Sequence, residues 1–123
     1  FDILDILHQN LKLFNIIYEY NNYLISHAGI SKTFCLNNDI DLNGNISNQI
    51  NDLFLFKPGK FEFISGGSVF GDDVYQSPIW IRPNSLLKDK INNYVQIVGH
   101  TQVDDIKCIN NVYFIDCPKF LII

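Results

Sequence analysis

The sequence predicts a mixed α and β domain, and three observations carry that expectation. Runs of β-branched and aromatic residues that read as strands lie near both ends of the chain. Segments of helical apolar spacing are short and fall beside or between them. Two of the strand-like runs stop at a histidine flanked by glycine or alanine, the kind of strand end where open α/β sheets place their chemistry. Whether helices and strands alternate (α/β) or segregate (α+β) stays open at this level.

Residues 1–10 place Ile3, Leu4, Ile6, Leu7 and the following Leu11 near helical spacing and are expected to form a short helix. Residues 11–20 are rich in β-branched and aromatic side chains and read as a strand. Asn21-Asn22 supplies a tight turn, because Asn tolerates positive φ, and residues 23–26 return as a second strand that ends at His27-Ala28-Gly29. Residues 31–51 are polar and Asn-rich with a turn signal at Asn43-Gly44, and a helix is expected over 46–56, stopped by Lys57-Pro58-Gly59. A short extended piece at 61–64 and a loop over 66–77 follow. Asn84 is the expected cap of a helix over 85–90. Three strands are expected to close the chain, at 95–99, 111–116 and 120–123, with a turn at Asn110-Asn111.

The 123 residues suffice for one domain, and 47% hydrophobic with 14% aromatic residues supplies a core; 18% charged residues argue against disorder. The net charge of −4 and the absence of any Lys/Arg run argue against nucleic acid or anionic membrane as partners. No apolar run is long enough to span a membrane, and residues 1–20 lack the basic start and cleavage site of a signal peptide. Cys35, Cys108 and Cys117 are an odd number without CxxC spacing, which points to buried or half-buried thiols in a reducing cytoplasm rather than a disulfide framework or structural zinc. The chain opens on Phe1 and contains no Met, so it is expected to be a piece of a longer protein.

Two segments carry chemistry-bearing residues: Tyr23-Leu24-Ile25-Ser26-His27-Ala28-Gly29-Ile30 and Gln96-Ile97-Val98-Gly99-His100-Thr101. In each, an apolar strand runs into a histidine with small neighbours. The strand end fixes the imidazole, the small neighbours leave room beside it, and neutral imidazole is the commonest nitrogen ligand of first-row metals.

Ser26-His27-Ala28-Gly29-Ile30 and Gly99-His100-Thr101 resemble two histidine motifs of the calcineurin-like metallophosphoesterase superfamily. Between them, Trp80-Ile81-Arg82-Pro83 resembles the Trp-x-Arg segment of bacterial-type serine/threonine phosphoprotein phosphatases and their diadenosine tetraphosphatase relatives, and Tyr113-Phe114-Ile115-Asp116 resembles the strand after the last histidine. The order and approximate spacing agree over most of the chain, from about Leu11 to the end. The resemblance implies the C-terminal half of a four-layer α/β/β/α sandwich. It implies two divalent metals in the parent protein (manganese, iron or zinc), which polarise phosphoryl oxygens and make a hydroxide from bound water. By resemblance His27 and His100 ligate one of those metals and Arg82 clamps phosphate, a role its guanidinium fork suits. The implied substrates are phosphoserine or phosphothreonine proteins, or alternatively a diadenosine nucleotide.

Departures from the pattern bear on activity. The superfamily's Asp-x-His, Gly-Asp…Asp-Arg-Gly and Gly-Asn-His segments have no counterpart here: Gly71-Asp72-Asp73 follows His27 instead of preceding it, and Gly44-Asn45 leads into Ile46. One metal therefore has no ligands in this chain, which is expected to be inactive alone, and residues 1–123 read as a partial domain. A remnant that only binds a partner is the alternative. One sheet without its opposite should expose an apolar face and favour self-association. Of the remaining candidates, His8 reads as helix surface or packing, Asp72 and Asp73 as solvated loop in preference to the lining of a substrate groove, and Asp104-Asp105 as a turn. Asp116 is either a support for a ligand histidine or a turn cap, and Cys35 lacks a basic partner.

Overall fold

The computed structural model describes residues 2–65, 70 and 72–123. Helix α1 (Ile3–Gln9), capped by the Asp2 carboxylate, has no buried residue. Strand β1 (Ile17–Tyr20) turns through Asn21, at φ +52°, into β2 (Tyr23–Ser26). Helices α2 (Lys32–Asn37), α3 (Ile46–Phe56) and α4 (Pro83–Lys88) occupy the connection to β3 (Val95–Val98), and β4 (Lys107–Ile109) forms a hairpin with β5 (Val112–Phe114). The five strands make one mixed sheet in the order β1-β2-β3-β5-β4. Its three central strands are parallel and its two edge pairs antiparallel. A mixed α/β fold is therefore present.

Several expectations need correction. Residues 11–20 are not one strand: Leu11–Leu13 form a 3-10 turn and pairing starts only at Ile17. The polar stretch after Ser31 contains α2, because the Ser31 hydroxyl caps it on the Phe34 amide and Phe34 and Cys35 supply a buried face. The extended piece at 61–64 begins instead as the end of a 3-10 turn, Pro58–Phe61. Helix α4 starts two residues early. Pro83 takes its first position, where a missing N–H is harmless, and holds Arg82 extended as the cap residue in place of Asn84. Residues 120–123 lie outside the sheet, and its fifth strand is β4, brought in by the turn at Asn110 and Asn111, both at positive φ. Cys108 is exposed rather than buried. Of the loop expected over 66–77, residues 66–69 and 71 lie outside the described residues, and so does Phe1 of the expected first helix.

Two cores flank the sheet's inner face. One packs Ile17 and Leu24 of the sheet against Phe34 and Cys35 of α2 and Ile46 and Ile50 of α3. The spacing of Ile46, Ile50, Leu53 and Phe54 is the helical stripe that such packing needs. The other sets Val98, Val112 and Phe114 against Ala28, Ile81 and Leu86. Register places Tyr18, Ile25, Ile97 and Tyr113 in one row on the opposite face of the sheet, and none of them belongs to either core.

Three amide side chains stand in for missing strand neighbours. Gln96 accepts the Ile30 N–H at 2.8 Å and donates to the Ile30 carbonyl at 2.9 Å, both in the buried interior. Gln76 does the same for Ile64 at 3.0 and 2.9 Å. Asn51 accepts from Ile16 and Ile17 and donates back to the Ile17 carbonyl. Each clamp satisfies backbone groups that would otherwise lose water without gaining a partner. Gln96→Leu keeps the volume but strands both polar groups of Ile30, which is fully buried, so we expect urea denaturation to show a loss of about 3 kcal/mol.

Gly29 sits at φ +108°, and a Cβ there would lie 2.3 Å from Leu86 Cδ2. Since Leu86 is itself fully buried, it has little room to yield. Gly29→Ala should therefore destabilise by about 3 kcal/mol through backbone strain and overpacking. Leu86→Ala in the same chain should recover part of that loss in a double-mutant cycle.

Candidate metal centre

Because β2, β3 and β5 run parallel in adjacent positions, their C-terminal ends lie on one edge of the sheet. His27 follows β2 directly, His100 follows β3 after Gly99, and Asp116 follows β5 after Ile115. The β2–β3 ladder extends one step past the strands, with the Gly99 N–H donating to the His27 carbonyl at 2.9 Å. The next loop is tied down as well. The Ala28 N–H donates to the Pro78 carbonyl at 2.8 Å, and the Gly29 N–H to the Ser26 hydroxyl at 3.0 Å.

His27 and His100 are thereby brought into contact, with His27 Nε2 and His100 Nδ1 2.9 Å apart and the rings edge to face at 66°. His100 occupies the left-handed region at φ +64°, and the Thr101 N–H closes a tight turn onto the Gly99 carbonyl at 2.7 Å. That backbone conformation is uncommon for a non-glycine residue, although His adopts it more readily than branched side chains do. It turns the imidazole back toward His27. The Trp80 indole stands perpendicular to the His100 ring, with centroids 6.1 Å apart, and Phe63 in turn packs on Trp80 at 5.4 Å. At 40% exposure the indole forms a wall of this stack and is not a core residue.

His100 has its pKa lowered from the ordinary 6.5 by burial first, then by the neighbouring His27 and Arg82; the Trp80 backbone hydrogen bond and Asp116 act in the opposite sense.

Two imidazole nitrogens bound to one divalent ion at about 2.0–2.1 Å would be about 3.3–3.4 Å apart at a tetrahedral angle and about 2.9 Å apart at the right angle of octahedral neighbours. The observed separation fits two neighbouring ligands of a common ion, and it fits a direct N–H···N hydrogen bond equally well. Ile25, Ile97, Ile115 and Asp116 line the open depression around the pair. Among the described residues no three His, Cys, Asp or Glu side chains are grouped to hold a metal ion.

Arg82 lines an adjacent cleft with Asp72, Asn84 and Thr101. Among the described residues it makes no ion pair. Asp72, read from the sequence as solvated loop, accepts the Ser85 hydroxyl at 2.9 Å at the side of this cleft. Other candidates lie elsewhere. His8 is exposed on α1, and Asp73 accepts the Tyr75 amide. Cys35 is buried, with its thiol pushed up to about 12 by desolvation and then by Asp89, so it is not a nucleophile. The sequence reading gave no role of their own to Phe63, Gln96 and Thr101. A polar Gln inside an otherwise apolar strand was the one available signal for Gln96.

No protein-family model matches the chain, and no curated protein or solved structure matches it either.

The lowered pKa has a testable sign. Below 6.5 an unfolded chain protonates this histidine while the folded chain still holds it neutral, so stability falls as pH falls from 6.5 to the lowered folded value. NMR titration of the imidazole should place the His100 transition below the ordinary value, and Arg82→Ala should move it upward.

Proposed function

We propose that this chain supplies two histidine ligands to a divalent-metal site of a phosphate-monoester hydrolase, with Arg82 as the group that holds the phosphoryl oxygens. The single observation that carries the reading is the 2.9 Å approach of His27 Nε2 to His100 Nδ1 at the ends of two parallel strands. The motifs around both histidines, and the Trp80–Arg82 segment beside them, support it by resemblance. A divalent cation held there would supply Lewis acidity toward a phosphoryl oxygen. His27 and His100 would hold it through the two ring nitrogens that face each other. Trp80 restrains the His100 ring, and Arg82 offers a guanidinium that stays charged throughout the reaction. The remaining ligands would come from outside residues 1–123, in the N-terminal half of a four-layer α/β/β/α sandwich. Tyr18, Ile25 and Tyr113, the exposed and half-buried members of a row that also holds the buried Ile97, are the surface that half would cover, and in the isolated chain they favour self-association.

Phosphoserine or phosphothreonine in a protein is the proposed substrate class. A diadenosine nucleotide is the alternative within the same chemistry, and a cytoplasmic setting suits the unpaired thiols. The second reading is a binding domain without catalysis. It draws on the same distance taken as a plain imidazole–imidazole hydrogen bond, and on the want of a third donor grouped with the pair among the described residues.

Calorimetric titration with zinc or manganese separates the two. Under the metal reading the protein binds one ion weakly, and His27→Ala and His100→Ala each weaken binding about 10-fold or more. Equal binding in either variant would sink it. The chain alone should turn over p-nitrophenyl phosphate negligibly with manganese present. In the longer parent, Arg82→Ala should raise the barrier by about 2–4 kcal/mol, read as a loss in kcat.

A further inference from the structure

We propose that Asp116 supplies the negative charge of the histidine-pair site, its carboxylate standing outside the ligand shell and strengthening the hold of His27 and His100 on a divalent cation. The inference rests on the metal reading above and adds to it a residue that reading leaves unused. Two neutral imidazoles lend a dication no compensating charge, and Arg82 acts on His100 with a charge of the same sign as the ion. A cation site with that balance needs an anion. Among the described residues Asp116 is the one carboxylate that acts on His100.

Three observations place Asp116 at the pair. It lines, with His27, Gly99 and His100, the open depression of about 380 Å³ at the ends of the parallel strands. A Cβ on residue 99 would lie 3.6 Å from the His27 carbonyl oxygen and 3.9 Å from Asp116 Cβ, so His27 and Asp116 flank the same bare glycine. The charge of Asp116 also reaches His100, where it favours the cationic ring, the effect that a carboxylate has on any positive charge held there. The backbone around Asp116 is fixed. The Ile115 N–H donates to the Val98 carbonyl at 2.9 Å, and the Val103 N–H donates to the Asp116 carbonyl at 3.1 Å. The Cys117 N–H closes a tight turn onto the Ile115 carbonyl at 2.7 Å. The side chain is uncommitted by contrast: half-buried, it takes part in no hydrogen bond and no ion pair among the described residues. Of the two readings that the sequence left open for Asp116, the turn cap is therefore not the one realised. Nor does the carboxylate group with the two imidazoles as a third donor, which leaves it the part of an outer partner. Partners of that kind change metal affinity about 10- to 100-fold.

The experiment is a calorimetric titration with manganese of the unaltered chain and of Asp116→Asn, which removes the charge and keeps the shape. Asp116→Asn should bind manganese about 10-fold more weakly, and Asp116→Glu, which restores the charge, should bind within about threefold of the unaltered chain. Because the carboxylate acts through space, added salt should narrow the gap between Asp116→Asn and the unaltered chain. Without metal the Tm should be the same for all three, since the carboxylate has no hydrogen bond or ion pair to lose among the described residues. His27→Ala is titrated alongside. If His27→Ala loses binding while Asp116→Asn keeps it, this inference is overturned and the histidine pair stands. If His27→Ala binds as the unaltered chain does, or the unaltered chain takes up no manganese, both are overturned. A gap that salt leaves unchanged would make Asp116 a direct donor and overturn the outer role. A lowered Tm of metal-free Asp116→Asn would make the role structural and overturn it as well.

Discussion

The parallel pairing of β2 with β3 is the constraint on which the candidate site depends. Parallel neighbours end on the same side of a sheet, so two residues far apart in the chain are delivered to adjacent positions with a spacing set by the inter-strand hydrogen bonds. The Gly99–His27 hydrogen bond carries that alignment past the last regular pair and into the loops. If β2 slipped by one residue, His27 would project from the other face and its contact with His100 would be lost. Register here is fixed by Leu24 and Val98 in the core and by Gln96, whose amide ties the chain after His27 to β3 itself.

Around that pairing the structure uses polar side chains for work that backbone usually does. Gln96, Gln76 and Asn51 each offer a donor and an acceptor from one planar group, the same pair that an adjoining strand would present. Such amides let irregular segments run through the interior without stranded N–H and C=O groups. They also explain how a chain with short strands and short helices keeps its loops in fixed places. Gly29 serves the same end by another route, since only a residue without a side chain lets the loop pass directly over Leu86.

Much of this was legible in the sequence, and the exceptions have physical causes. Helix α3 announced itself by the spacing of its apolar residues, and β2 and β3 by apolar runs that break off at small residues and histidine. The turn at Asn110-Asn111 was evident, yet its incoming strand was not, because all of Lys107–Ile109 is exposed and carries no alternation. Helix α2 was hidden because it buries only Phe34 and Cys35, too few positions to show a period. The start of α4 was misplaced because Asn84 is a good capping residue in isolation while Pro83 decides the matter through its ring. Histidine residues 27 and 100 could be singled out from their frames, but their contact follows from strand order, which no local pattern encodes. That Thr101 Oγ1 is buried with no hydrogen-bond partner among the described residues is likewise a property of the assembled fold alone.

Trp80 is the only tryptophan in the chain, and its ring stands edge-on to His100 at 6.1 Å. An indole excited state loses energy readily to a protonated imidazole or a coordinated transition metal at such range. The site therefore contains its own optical reporter: emission from a single, partly exposed fluorophore follows what happens at His100, with no label and no second tryptophan to dilute the signal.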